Sequence, residues 1–199
     1  MQDKLTIDRG AWLQTYTGLC YYPLAPRPED VVLEDIAHAL SNQCRYSGHT
    51  RCFYSVAEHA VRVSRAIEVK LRGQDIPEDV IRINAFCGLH HDDSEAYLVD
   101  LPRPIKRWSE LGNCYRAIEE RNMVVICQRF DLPWPLPEIV DDLDMVLMLT
   151  EKRDLMVRGT NEWTDVGNNP DPLPEIIIPW TPREAEAIYR ERHYQLRAI

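Results

Sequence analysis

The sequence predicts an all-α fold in a single domain, and three observations carry that expectation. Apolar residues recur at helical spacing in one segment after another. Prolines fall in clusters between those segments, at 23–28, 102–104, 133–137 and 170–182, where they end helices rather than interrupt them. Strand signals are short and confined mainly to the amino-terminal end. At 199 residues, 45% of them hydrophobic and only 8 glycine, the chain has the composition of a packed domain. A chain of this length buries about 70% of its unfolded surface, so it needs no disulfide or metal merely to fold.

The elements follow in order. Residues 5–7 and 16–22 are expected to pair as a small hairpin around Gly18. Val32, Ile36, Ala39 and Leu40 then mark a first helix, and Val56, Ala60, Val63 and Ile67 a second. A third is expected over about residues 80–98 and a fourth over about 113–130, with Tyr115, Ile118, Val125 and Cys127 turned inward. The fifth carries Ile139, Leu143, Val146, Leu147 and Leu149 and ends near Gly159, a C-terminal stop. Residues 161–175 read as a polar, proline-rich surface loop, and residues 175–178 as a short apolar run. The last helix, about 182–198, opens on Thr181-Pro182-Arg183-Glu184, an N-cap, a first-turn proline and a capping-box glutamate, with Ile188 on its apolar side. No repeat or linker divides residues 1–199.

A formal net charge of −9 argues against broad contact with nucleic acid or an anionic membrane, which are held by basic surfaces. No run approaches the roughly 18–20 apolar residues of a membrane span. The amino-terminal residues do not read as a signal peptide, so a cytoplasmic protein is expected. The six cysteines are scattered without a C-x-x-C pair and read as reduced thiols packed as small apolar groups. Cys87, one turn before His91, is read the same way, because thiolate ligands come in clusters.

Chemistry is concentrated in His90-His91-Asp92-Asp93-Ser94-Glu95, six polar or ionisable residues between hydrophobic flanks. Burying such a run without a purpose is costly. On a continuous helix His91 and Glu95 lie about 40° apart with Asp92 beside them, while His90 and Ser94 point elsewhere. Imidazole nitrogen and carboxylate oxygen suit a divalent cation, but ligands on one helix need partners from others. His59, within Ser55-Val56-Ala57-Glu58-His59-Ala60, and Asp144, within Leu143-Asp144-Met145-Val146-Leu147, offer them. Taken singly, each also reads as a satisfied core histidine or a solvated helix face.

The order His, His-Asp, Asp across three helices resembles the signature of the HD-domain phosphohydrolases. Residues 33–41, 44–50, 53–59, 95–97, 100–106 and 150–155 extend that resemblance over nearly the whole chain, with a metal-site core at about 31–158. The phrases are similar to those of bacterial 5′-deoxynucleotidases and of phage dATP triphosphohydrolases. The resemblance implies that His59, His91, Asp92 and Asp144 hold the metal and that Glu95 is the acid/base. It makes Arg45 and Lys106 phosphate contacts, Tyr46 an aromatic neighbour of the nucleotide, and Asp100 a polar residue of the catalytic pocket. Pro102 is a further candidate contact to base or sugar. Arg51, Arg103 and Arg107 add basic character near Lys106, whereas Asp141 stands where some family members carry a phosphate-contacting lysine.

The implied reaction cleaves the bond between the 5′ oxygen and the α-phosphorus of a deoxynucleotide. The leading expectation is a dATP or dNTP triphosphohydrolase, with a dNMP 5′-nucleotidase as the alternative. Zn, Co or Mn is the expected divalent ion, with Mg as a further option, including as a second ion accompanying the phosphates. A homo-oligomer, dimer or hexamer, and a location in the host cytoplasm for a phage-encoded protein complete the expectation. Two rival readings are a nucleotide-binding HD protein without catalysis and a purely structural metal site. A water-handling glutamate has no use in the first, and an adequate helical core removes the need for the second.

Overall fold

The computed structural model describes residues 9–160, 163 and 170–197. Helices α1 (Leu33–Asn42), α2 (Val56–Arg72), α3 (Glu78–Leu89), α4 (Glu95–Leu98), α5 (Arg103–Trp108), α6 (Glu110–Phe130), α7 (Glu138–Leu155) and α8 (Pro182–Arg197) build an all-α bundle. The only sheet among the described residues is a hairpin of β1 (Leu13–Gln14) and β2 (Cys20–Tyr21), antiparallel with Leu13 opposite Tyr21. Gly18, at φ +85°, takes the left-handed position in its turn. The hairpin thus surrounds the expected glycine, but its first strand is 13–14; the expected strand at 5–7 lies outside the described residues. Residues 175–178 form no strand, and the expected loop at 161–175 lies partly outside the described residues.

Helix α2 is the centre of the bundle and packs against α1, α3, α7 and α8. Its apolar stripe of Val56, Ala60, Val63 and Ile67 is fully buried, as are Ile36 and Leu40 of α1. Ser55 caps α2 by accepting from the Glu58 amide at 3.1 Å, a bond of the kind that stabilises a helix by about 1 kcal/mol. Helix α8 lies on α1, α2 and α3, so the last helix closes the core begun by the first. Its capping box forms as expected: Thr181 Oγ1 accepts from the Glu184 amide at 3.3 Å, while the Glu184 carboxylate accepts from the Thr181 amide at 2.8 Å.

One expected helix is broken. Residues 80–98 do not run continuously; α3 stops at Leu89, residues 90–94 form turns, and α4 restarts at Glu95. The cause is local. The Gly88 carbonyl, which an unbroken helix would offer to the Asp92 amide, accepts from His91 Nδ1 at 2.9 Å. His90 Nδ1 meets Asp93 Oδ2 at 2.5 Å, closing the turn from its other side. Gly88 also lets α3 approach α2 closely, because a Cβ there would collide with Ile67 Cδ1. The helical-wheel angle between His91 and Glu95 is therefore replaced by a tight turn that offers His91 and Asp92 to α2 and α7.

Candidate metal centre

His59 comes from the first turns of α2, His91 from the turn after α3, and Asp144 from the second turn of α7. One ligand atom from each lies within 4.8 Å of the others, a group able to hold a metal ion. His59 Nε2 is 3.3 Å from His91 Nε2 and 3.0 Å from Asp144 Oδ1, and His91 Nε2 is 3.9 Å from that oxygen. Asp92 adjoins the group rather than completing it as tightly: its Oδ2 is 3.2 Å from His91 Nε2 and 3.7 Å from His59 Nε2, and Arg45 Nη1 approaches the same oxygen to 3.4 Å.

Both imidazoles are oriented from behind. His91 Nδ1 is spent on the Gly88 carbonyl, and His59 Nδ1 on Glu151 Oε1 at 2.7 Å. Each Nε2 is left facing the shared space, the arrangement by which a carboxylate or carbonyl fixes the tautomer of a ligating histidine. Glu151 is fully buried and also accepts from the Tyr46 hydroxyl at 2.5 Å, with Arg45 Nε 3.5 Å away. Sequence reasoning missed this residue's part, although a signal was present: Glu151 follows Asp144 by seven positions, two turns along one face of α7.

The electrostatics fit a dication. With both histidines neutral, the carboxylates of Asp92, Asp144 and Glu151 against the Arg45 guanidinium leave two negative charges in a largely buried space. Burial opposes ionisation of Asp144, but the His59 and His91 rings overcome it and hold the carboxyl at about 2. Asp92 is likewise held far below the carboxylate range by His91, His59 and Arg45 in spite of burial. The same carboxylates outweigh burial at His91 and push it up to about 9, a proton that a bound cation would displace.

Glu95 has the opposite character. It is buried, its Oε2 has no hydrogen-bond partner among the described residues, and burial reinforced by Asp92 and Asp100 raises its pKa well above the carboxylate range. Asp100 is raised for the same reasons, burial first, with Arg45 opposing. Arg45, at the start of a 3-10 turn over Arg45–Gly48, contacts the Asp92 and Glu151 carboxylates and feels the charge of Asp100. Tyr46 and Ser47 follow in left-handed conformation at φ 55° and 51°, and the Tyr46 ring lies 6.0 Å from that of Trp163.

Lys106 and Pro102 belong to a segment whose helix went unforeseen. Pro102 is the N-cap of α5, and Lys106 lies in its last turn. Lys106 Nζ meets Glu119 Oε1 of α6 at 2.5 Å and feels the charges of Asp92 and Glu95. The structure thus brings Lys106 toward the acids but gives it a carboxylate partner. Arg51, expected in the basic patch, is tied back to the Asp154 carbonyl. Cys87 is fully buried, outside the metal group, and burial pushes its thiol up to about 12, as a core cysteine should be. No helix among the described residues is long and apolar enough to cross a membrane.

Fold and site together define an all-helical protein with a candidate histidine–aspartate metal centre. The chain is 34% identical over 189 residues to Uncharacterized protein YfdR of Escherichia coli (strain K12), covering 95% of this chain and 97% of that protein. It is 30% identical over 195 residues to Uncharacterized protein RCAP_rcc00048 of Rhodobacter capsulatus, covering 94% of this chain and 95% of that protein. The protein belongs to the family of these two. No family model matches the chain.

Proposed function

We propose that the protein is a metal-dependent phosphohydrolase of the HD type acting on deoxynucleotides at the bond between the 5′ oxygen and the α-phosphorus. The observation that carries the reading is the convergence of His59, His91 and Asp144 from three separate segments, beside Asp92. A Zn, Co, Mn or Mg ion bound there would acidify a coordinated water and offset charge on the phosphoryl oxygens.

The remaining work falls to the chain's own side chains. Arg45, turned between the Asp92 and Glu151 carboxylates, can exchange one of these contacts for a phosphoryl oxygen and grip it with a planar pair of N–H groups. Glu95, whose pKa is raised by burial and by Asp92, can in its protonated form donate to the leaving 5′ oxygen, and in the ionised form it can accept a proton from the attacking water. Asp100 takes the part of a polar residue of the catalytic pocket, Tyr46 that of an aromatic neighbour of the nucleotide, and Lys106 that of a phosphate contact after it leaves Glu119. The dATP or dNTP triphosphohydrolase remains the leading substrate reading. Two observations support the alternative, a dNMP 5′-nucleotidase: Lys106 already has a carboxylate partner, and Asp141 stands one turn before Asp144.

Asp92→Ala tests the reading. It should abolish release of deoxynucleoside while the protein stays folded. A folded variant retaining most of its turnover would sink the assignment.

A further inference from the structure

The turn that joins the acid/base to the substrate pocket holds Val99 at φ +77°. A β-branched residue rarely adopts that conformation, and it persists only where the surroundings over-determine it. The turn is closed by its own backbone, the Val99 amide donating to the Glu95 carbonyl at 2.8 Å, and is held further by two side chains outside it. Gln43, at the end of α1, donates from Nε2 to the Glu95 carbonyl at 2.9 Å and accepts at Oε1 from the Asp100 amide at 3.2 Å. One carboxamide therefore ties the first residue of α4 to the residue after the strained one. Tyr115 of α6 donates its hydroxyl to the Val99 carbonyl at 2.5 Å, and Lys106 Nζ lies 5.6 Å from the centre of the same ring.

We propose that Gln43, with Tyr115, is a positioning residue for the reaction, a strap that holds the strained Glu95–Asp100 turn so that both carboxyl groups face the space beside Arg45. The inference rests on the hydrolytic reading. Gln43 itself is built to hold the turn. Its backbone carbonyl accepts from the Val56 amide at 3.1 Å at the start of α2, so the strap is anchored to the helix that carries His59. The side chains of Gln43 and Tyr115 spend their hydrogen bonds on backbone atoms of Glu95, Val99 and Asp100 rather than on His59, His91 or Asp144, which separates the strap from the metal group. Misplacing an acid/base by about 1 Å costs on the order of a hundredfold in rate.

The test compares the wild type with Gln43→Met, which keeps the side chain's length but removes both hydrogen bonds, with Gln43→Ala, and with Tyr115→Phe. Each protein, loaded with Mn²⁺, is assayed on dATP and dAMP, and amide exchange at Asp100 is followed in parallel. Expected are a fall in kcat of roughly tenfold to a hundredfold for Gln43→Met, a KM within about threefold and unchanged metal content, with a smaller fall for Tyr115→Phe. The Asp100 amide should exchange faster in both Gln43 variants. Wild-type kcat in Gln43→Met, with its Asp100 exchange unaltered, overturns the strap. Loss of bound metal in Gln43→Met does so too, because the residue would then support the centre rather than the turn. A wild type inert on every substrate would remove the hydrolytic reading, and with it the positioning role; faster Asp100 exchange would then keep the hydrogen-bonded strap alone.

Discussion

Replacing Glu151 by glutamine changes one atom and should weaken metal binding. The carboxylate is fully buried and serves three groups: His59 Nδ1 at 2.7 Å, the Tyr46 hydroxyl at 2.5 Å and Arg45 Nε at 3.5 Å. Burial alone would raise its pKa, but Arg45 and His59 hold it below the carboxylate range, so the group is an anion at neutral pH. In Glu151→Gln the amide oxygen can still orient His59, but the NH2 group faces Tyr46 and Arg45, and the charge that makes the His59 ring a better donor is gone. Loss of such a partner typically costs 10–100-fold in metal affinity, equivalent to about 1.4–2.8 kcal/mol. Glu151→Ala is harsher, because it leaves Arg45 buried beside a gap, and should cost about 3–5 kcal/mol of stability as well. Competition against a chromogenic chelator at pH 7.5 measures the first effect and denaturant melts of the metal-free proteins the second. Equal affinity in Glu151→Gln and wild type would refute the role given to this residue.

Three further outcomes follow from the same geometry. Glu119→Gln leaves Lys106 with a neutral partner, so KM for the phosphorylated substrate should fall about fivefold, roughly 1 kcal/mol at a partly exposed site; unchanged steady-state constants would detach Lys106 from the substrate. Tyr189→Phe removes the hydroxyl that donates to Asp93 and lies 3.0 Å from His90 Nδ1 in the buried cluster under the metal turn. It should lower stability by about 1–3 kcal/mol, read as a drop in Tm by calorimetry. His193 Nδ1 lies 2.9 Å from His90 Nε2 in that cluster, and burial, then His90 and Arg197, hold it down at about 3. The unfolded chain therefore binds the extra proton between about pH 6.5 and 3, so stability is complete above that window and falls as pH drops through it, by up to about 1.4 kcal/mol per pH unit. Urea midpoints against pH should be flatter in that window for His193→Asn, and an identical slope would exclude His193 as the source.

Much of the bundle was legible because helix faces announce themselves by spacing. The buried stripe of α2 and the capping box of α8 stand where periodicity and Thr181-Pro182-Arg183-Glu184 put them. The break after Leu89 was not legible, since a run of polar residues has no apolar period to lose, and the turn depends on His91 and Gly88 finding one another. Helix α5 was missed because Pro102 and Pro104 read as punctuation, whereas a proline is well tolerated in a helix's first turn. The metal candidates were legible as residue types in order, but the partners that orient them were less so. Glu151 had a two-turn spacing to Asp144 to betray it. Gln43 and Tyr115 had nothing comparable, because they act on backbone atoms of a distant turn.

One product analysis bears on metal-dependent hydrolysis more immediately than any variant. Protein stripped of metal and reloaded with Mn²⁺, Co²⁺, Zn²⁺ or Mg²⁺ is incubated with each dNTP and dNMP, and the products are separated by ion-exchange chromatography. A deoxynucleoside should be released only in the reloaded samples, with tripolyphosphate from a dNTP or orthophosphate from a dNMP. Intact substrates with every metal, from folded protein holding one ion per chain, would contradict metal-dependent hydrolysis.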